Sequence, residues 1–325
     1  MSGHVIALCG GVGGAKLAFG LTRILPPEDL TILVNTGDDF EHLGLHVSPD
    51  IDTVAYTLSG LSDRERGWGL AGETWNFMAA LKRLGGEAWF NLGDHDLAMH
   101  VERTRGLAAG ESLSHVTTAL TAALGIRHPV IPMSDQPVRT IIQTADGELG
   151  FQRYFVGEQC RPVATGVRFE GAASARPSAG FQTALARRDL AAVIVCPSNP
   201  YLSIDPILAT PGVRKALADL ATPIVAVSPI IGGQALKGPA AKLMAELGVT
   251  PGVLAVARHY GGLLDGLVID TADRDDAAAL RAFSLEPLVT DSVMHTDDDR
   301  VRLARETLAF AAELAWPVQT RRAAL

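Results

Sequence analysis

Four glycines in five positions, Gly10-Gly11-Val12-Gly13-Gly14, directly follow the apolar run His4–Cys9. Glycine has no Cβ, so chain or ligand atoms can come close to the peptide N–H groups of such a turn. After it, Leu17, Ala18, Leu21, Ile24 and Leu25 recur at helical spacing until Pro26-Pro27 ends the pattern. A second apolar run covers 31–35. A strand–turn–helix–strand opening predicts an open, mostly parallel α/β sheet, in which ligands bind beyond the carboxyl ends of the strands. The partial positive charge of a helix N-terminus makes Gly10, Gly11, Gly13 and Gly14 candidates for holding a phosphate or diphosphate.

Two common phosphate motifs do not fit. The dinucleotide fingerprint needs a glycine where Lys16 stands, and the ATP loop needs a glycine and a hydroxyl where Ala15 and Leu17 stand. A hydride-transfer dehydrogenase and a standard P-loop ATPase are thereby disfavoured, while Lys16 remains a candidate to neutralise phosphate.

Acids follow the glycines closely: Asp38-Asp39 beyond the second strand, then Asp50 and Asp52. Hard carboxylate oxygens suit Mg²⁺, which also bridges phosphate oxygens. One acid from each cluster would hold the ion, and Asp39 with Asp50 is the preferred pair, both also assigned to catalysis; Asp52 is expected to contact the substrate. Asn35 and Thr36 are expected to fix this loop or bond a ligand. Farther on, Asp94 and Asp96 are expected to shape the site or orient a nucleophile. Ser134, Asp135 and Arg139 offer hydroxyl, carboxylate and guanidinium groups for a polar ring edge or phosphate. Ser198 and Asn199 follow a strongly apolar strand in a proline-stiffened loop suited to ring recognition. Gly232, Gly233 and Lys237 repeat that layout after another strand.

The pattern predicts helices over 73–84, 111–124, 181–188, 212–219, 239–247 and 297–314, and a short one over 52–59. It predicts strands over 88–92, 140–144, 150–156, 191–196, 223–227 and 266–269, the 140s pair turning at Asp146-Gly147. The expected organisation is a catalytic core from 1–144 and 181–270, an inserted β-rich lobe over 145–180, and a C-terminal helical extension over 271–325. The 325 residues are 47% hydrophobic, enough for one large core. A net charge of −8 argues against a dominant nucleic-acid surface. Cys9, Cys160 and Cys196 have neither disulfide-framework nor metal-motif spacing. No apolar stretch is long enough to span a membrane and no secretory leader is evident, so a cytoplasmic location is expected.

These landmarks in order resemble the 2-phospho-L-lactate transferase family of coenzyme F-420 biosynthesis. The matching pieces are the glycine turn with Lys16, Val34-Asn35-Thr36-Gly37-Asp38-Asp39, His46 through Thr53, and Arg66-Gly67-Trp68-Gly69. They continue with Trp89 through Asp94, Met133 through Thr140, Cys196 through Pro200, and Ser228 through Gly233 with Lys237-Gly238-Pro239. The resemblance implies a Rossmann-like three-layer core, in a homodimer. It implies Mg²⁺-dependent transfer of a phosphorylated three-carbon acid (lactate, enolpyruvate or glycerate) from a GDP-linked donor to the deazaflavin alcohol Fo, with release of GMP. It places Asp39 and Asp50 in the acidic metal-binding region. The rival expectation is a regulatory protein of the same superfamily that binds a nucleotide or nucleotide sugar.

Overall fold

In the computed structural model, residues 3–236 and 238–322 are described, the side chains beyond 315 excepted. Seven parallel strands make the main sheet: β1 (His4–Cys9), β2 (Leu30–Val34), β3 (Val130–Pro132), β4 (Leu190–Val195), β5 (Ile224–Val227), β6 (Gly266–Asp270) and β7 (Glu286–Thr290). Their spatial order is β7-β6-β5-β4-β1-β2-β3. The chain winds outward from β1 in one direction, then returns to pair β4 on its other side. This is the doubly wound Rossmann order with one strand added, and the switch point lies between β1 and β4.

Helices cover both faces because β1 is apolar on both. Val5, Ala7 and Cys9 enter one core with Leu17, Ala18 and Leu21, while Ile6 and Leu8 enter the other with Val193 and Ile224. Helix α1 (Val12–Thr22) and the C-terminal helix Asp297–Arg322 share the first face, where Leu303, Ala304 and Leu308 are buried. Both edge strands carry a proline, Pro132 and Pro287. Proline has no N–H to offer a further strand, so it suits a sheet edge.

A second sheet of three antiparallel strands, Arg139–Thr144, Gly147–Gly150 and Ala164–Glu170, stands apart from the main one. It takes in 139–144, which the expected boundary left in the core. Likewise β7 lies inside the stretch expected to be a helical extension. The strand expected over 150–156 is instead a π-helical turn, Arg153–Gly157, after Phe151 and Gln152. There Phe151 and Phe155 stack at 5.4 Å, a contact made by helical i, i+4 spacing. The strand expected over 88–92 is irregular: Trp89 and Phe90 pack with Phe40 and His42 as an aromatic cluster.

Between β2 and β3 the chain forms α2 (Pro49–Ser59), α3 (Asn76–Arg83), α4 (Asp96–Ala108) and α5 (Leu113–Ala123); Ile51 and Val54 of α2 and Leu113 of α5 join the core that holds α1. Pro49 at the start of α2 has the φ that a first helical turn needs, and Gly60 ends the helix in the left-handed region.

Candidate active site

The glycine turn and the loop after β4 meet at the switch point. Gly10 N donates to Ser198 Oγ at 3.0 Å. A Cβ on Gly13 would lie 2.2 Å from the Pro197 carbonyl oxygen, and one on Gly10 would lie 2.2 Å from Ser203 Cβ. These glycines are therefore required for chain-to-chain approach. Beside them opens a cleft of about 940 Å³. Gly11, Gly13, Lys16, Asp38, Asp50, Asp52, Ser198 and Asn199 all line it, whereas Gly10 and Gly14 lie behind the lining. Lys16 Nζ donates to the Met294 carbonyl at 2.8 Å, which ties α1 to the segment before the C-terminal helix.

The first turn of α2 carries Asp50 into this floor. Asn35 Nδ2 donates to Asp50 Oδ2 at 2.9 Å, and Asn35 Oδ1 accepts from Gly37 N at 2.8 Å. Burial pushes the Asp50 carboxyl up to about 7; the Asn35 bond opposes this, and the charges of Asp39 and Asp52 add to it. Asp38 is held well above the usual carboxylate range by burial first, then by Asp50 and Asp39. Asp38 Oδ1 is buried without a partner. Asp39 sits behind it, away from the lining, with Oδ2 accepting from Ser48 Oγ at 2.8 Å and lying 3.2 Å from His46 Nε2. The structure thus presents Asp38 and Asp50 to the cleft, not the expected Asp39 and Asp50. Thr36 is buried beside them, its hydroxyl without a partner.

Asp52 lines the cleft with its carboxylate already engaged inside the protein. Its carboxylate forms a two-point ion pair with Arg103, with Nη1 donating to Oδ2 at 3.2 Å and Nη2 to Oδ1. Both side chains are buried. Burial works against the Arg103 charge, but Asp52 outweighs it and keeps the guanidinium charged. His100 and Asp96, one α4 turn apart, continue the network toward Tyr56, whose hydroxyl donates to Asp96 Oδ1. Tyr56 and His100 line the cleft and were not singled out from the sequence, whereas Asp96, expected with Asp94 to shape the site, lines it as well.

Several expected contacts serve the scaffold instead. Asp94 caps α3, accepting from the N–H groups of Asn76 and Phe77 at 3.0 Å each and from the Thr74 hydroxyl at 2.5 Å. Those bonds, led by Thr74, hold its carboxyl well below the usual range. Asp135 Oδ1 accepts from Ser114 N at 2.7 Å, at the start of α5. Ser134 Oγ accepts from Gln136 N at 3.1 Å, and Arg139 Nη1 donates to the Val138 carbonyl at 3.0 Å. None of these four lines the cleft. Gly232 and Gly233 form the turn of a small hairpin, Ile230–Ile231 with Gln234–Ala235, with φ of +55° and +76°. Gly232 N donates to Asp273. Lys237 lies outside the described residues. Asn199 Oδ1 accepts from Tyr201 N at 3.0 Å and Leu202 N at 3.3 Å, while its Nδ2 is buried without a partner.

The remaining walls are apolar and aromatic. Trp68, Phe90, Phe151 and Phe155 line the cleft, and Arg66 lies 5.2 Å from the Trp68 ring and 5.1 Å from the Trp75 ring. The lining therefore combines the glycine turn and paired carboxylates with flat apolar surface and a few polar groups. Such a lining can accept an anionic group attached to something ring-like. Among the described residues no group of three or more His, Cys, Asp or Glu could hold a metal by itself.

Fold and cleft together define a doubly wound α/β protein with its ligand site at the switch point. The chain belongs to the 2-phospho-L-lactate transferase CofD family, whose sequence profile it matches over residues 5–309. It is 42% identical to a phosphoenolpyruvate transferase of Streptomyces coelicolor, covering 96% of this chain and 99% of that one. It is 38% identical to a 2-phospho-L-lactate transferase of Methanosarcina mazei, over 92% and 98% of the two chains. A UPF0052-family crystal structure from Bacillus halodurans superposes with a TM-score of 0.62 at 15% identity, covering 95% of this chain and 99% of that one; this likeness concerns the fold alone. No helix among the described residues is long and apolar enough to cross a membrane.

Proposed function

We propose that this chain transfers a phosphorylated three-carbon acid from a GDP-linked donor to the hydroxyl of the deazaflavin alcohol Fo, releasing GMP and forming F-420-0 or its dehydro form. Family membership supports a phospho-acid transferase of F-420 biosynthesis. The observation that carries the reading is that Asp38, Asp50 and the glycine turn line one aromatic-walled cleft.

The residues fit a resident Mg²⁺. Asp38 offers a buried oxygen without a hydrogen-bond partner, and burial raises both carboxyls, so a cation beside them would favour their charged forms. Mg²⁺ is held by one or two carboxylates, with substrate phosphate oxygens completing its shell. Asp38 and Asp50 would hold it, with Asn35 orienting Asp50. Bound there, the ion would neutralise charge on the diphosphate. The N–H groups of Gly11 and Gly13, at the start of α1, favour the same anion. Asn199 Nδ2 adds a neutral donor. Trp68, Phe90 and Phe155 exclude water from the ring of the acceptor. Positioning of the hydroxyl in line with the phosphorus then does most of the catalytic work, and no covalent enzyme intermediate is required. Relatives named phosphoenolpyruvate transferase share 41–42% identity and those named 2-phospho-L-lactate transferase 37–38%, which makes enolpyruvate the first donor to try.

The test is incubation with Mg²⁺, Fo and each GDP-linked donor in turn, following GMP and the flavin product by mass spectrometry. Product and GMP in equal amounts support the reading. Absence of both with all three donors overturns it.

A further inference from the structure

His100 is 1% exposed, lines the cleft, and has a ring nitrogen, Nε2, with no well-aligned hydrogen-bond partner. Arg103 Nη1 lies 3.3 Å from His100 Nδ1. A guanidinium can only donate, so this contact favours the tautomer with Nδ1 as acceptor and Nε2 as donor. Nε2 lies 3.1 Å from Asp96 Oδ2, an ion-pair contact too poorly aligned for a full hydrogen bond, so both groups keep capacity for a better-placed partner. Asp96 Oδ1 is taken by the Tyr56 hydroxyl, and its Oδ2 keeps acceptor capacity. The cleft therefore presents one donor and one acceptor side by side. A hydroxyl group, which donates once and accepts as well, satisfies both.

We infer that His100 Nε2 and Asp96 Oδ2 form a hydroxyl-binding subsite for the acceptor substrate, with Arg103 as a positioning residue that favours this imidazole tautomer. The inference rests on the transfer reaction proposed above. The bound hydroxyl is not the attacking one. Asp50 and Tyr56 stand six residues apart on α2, about 9 Å along the axis at 1.5 Å per residue. An attacking oxygen must lie roughly 3–3.5 Å from its phosphorus, close to the Asp38–Asp50 pair. The subsite thus selects acceptors that carry a second hydroxyl along a chain several atoms long, and rejects simple alcohols.

The experiment compares Fo with Fo analogues lacking single non-reacting hydroxyls, in the wild type, Asp96→Asn, His100→Ala and His100→Gln. In the wild type, removing the hydroxyl that reaches the subsite raises the acceptor KM about tenfold or more, with kcat and donor KM nearly unchanged. Asp96→Asn and His100→Ala raise the KM for Fo by a similar factor and abolish discrimination against that analogue. His100→Gln, which can return a donor near Nε2, restores part of it. Equal KM values for all analogues in the wild type overturn the inference without any variant. A fall in kcat at unchanged acceptor KM in Asp96→Asn also overturns it. Either result leaves the transfer reaction standing, whereas absence of turnover in the wild type removes that reaction first. Calorimetric titration of wild type with Fo and with the analogues, donor omitted, then reads the subsite alone. A tenfold weaker analogue supports the subsite and equal affinity refutes it.

Discussion

Asn35 Nδ2 reaches Asp50 Oδ2 across 2.9 Å, from the end of β2 to the first turn of α2. Asn35 is wholly buried and its own oxygen is held by Gly37 N, so its amide orientation is fixed and so is the rotamer of Asp50. Groups that orient a metal-binding carboxylate contribute about 10- to 100-fold to metal affinity or activity. Asn35→Leu is therefore expected to raise the Mg²⁺ concentration for half-maximal transfer by about that factor. Titration of activity against Mg²⁺ measures it, and an unchanged midpoint would show that Asn35 only packs.

Asp38→Asn and Asp50→Asn should each lower kcat by about a hundredfold, as loss of a preorganised charge-stabilising group does. Asp39→Asn should do less, because Asp39 faces Ser48 and His46 rather than the cleft. Steady-state rates at saturating donor rank the three. If Asp39→Asn proves the most damaging, the ligand pair is the one expected from the sequence.

Without divalent ions, stability should depend on pH through Asp50. Its folded value, about 7, lies above the unfolded value of about 4, so the folded state holds the extra proton between them. The stabilising contribution is complete below the lower value and is lost as pH rises through the upper one. The melting temperature in EDTA is expected to fall from pH 5.5 to pH 8. Mg²⁺ should reverse the fall, and Asp50→Asn should flatten it. A melting temperature independent of pH over this range would contradict the buried, unneutralised state of Asp50.

Arg103→Met leaves Asp52 as a buried, unpaired charge, which destabilises a protein by roughly 3–5 kcal/mol. Replacing both, Arg103→Met with Asp52→Leu, should recover much of that loss. Urea denaturation of the two variants decides it. Equal stability of the single and double variants would show that Asp52 is not stranded when Arg103 is removed.

Gly13→Ala should destabilise, although alanine is ordinarily the better helix former by about 1 kcal/mol. The added Cβ would meet the Pro197 carbonyl, and forcing atoms into such a packed site costs about 1–3 kcal/mol. Chemical denaturation reads the sign directly.

The opening strand, the glycine turn and the acids after β2 were legible because each is written in neighbouring residues. Asp38 and Asp39 were legible as a pair, but which of them faces the cleft depends on Ser48 and His46, and no local pattern reports that. Helix α4 was missed for a physical reason. The face it buries carries His100 and Arg103 beside Met99 and Gly106, so the usual apolar periodicity is absent. The same polar face supplies Asp96 and His100 to the cleft. The aromatic runs at 88–92 and 150–156 misled in the opposite sense. Strand-forming residue types serve there as cleft wall and ring cluster, and β propensity reflects packing surroundings more than backbone preference.

The bond from Gly10 N to Ser198 Oγ joins positions 188 residues apart. During synthesis, the opening turn must wait unfinished until nearly two thirds of the polypeptide has emerged and β4 has docked beside β1. Nucleotide capture by a nascent chain would accordingly report completion of the sheet's centre, and fragments ending before β4 should be blind to the donor.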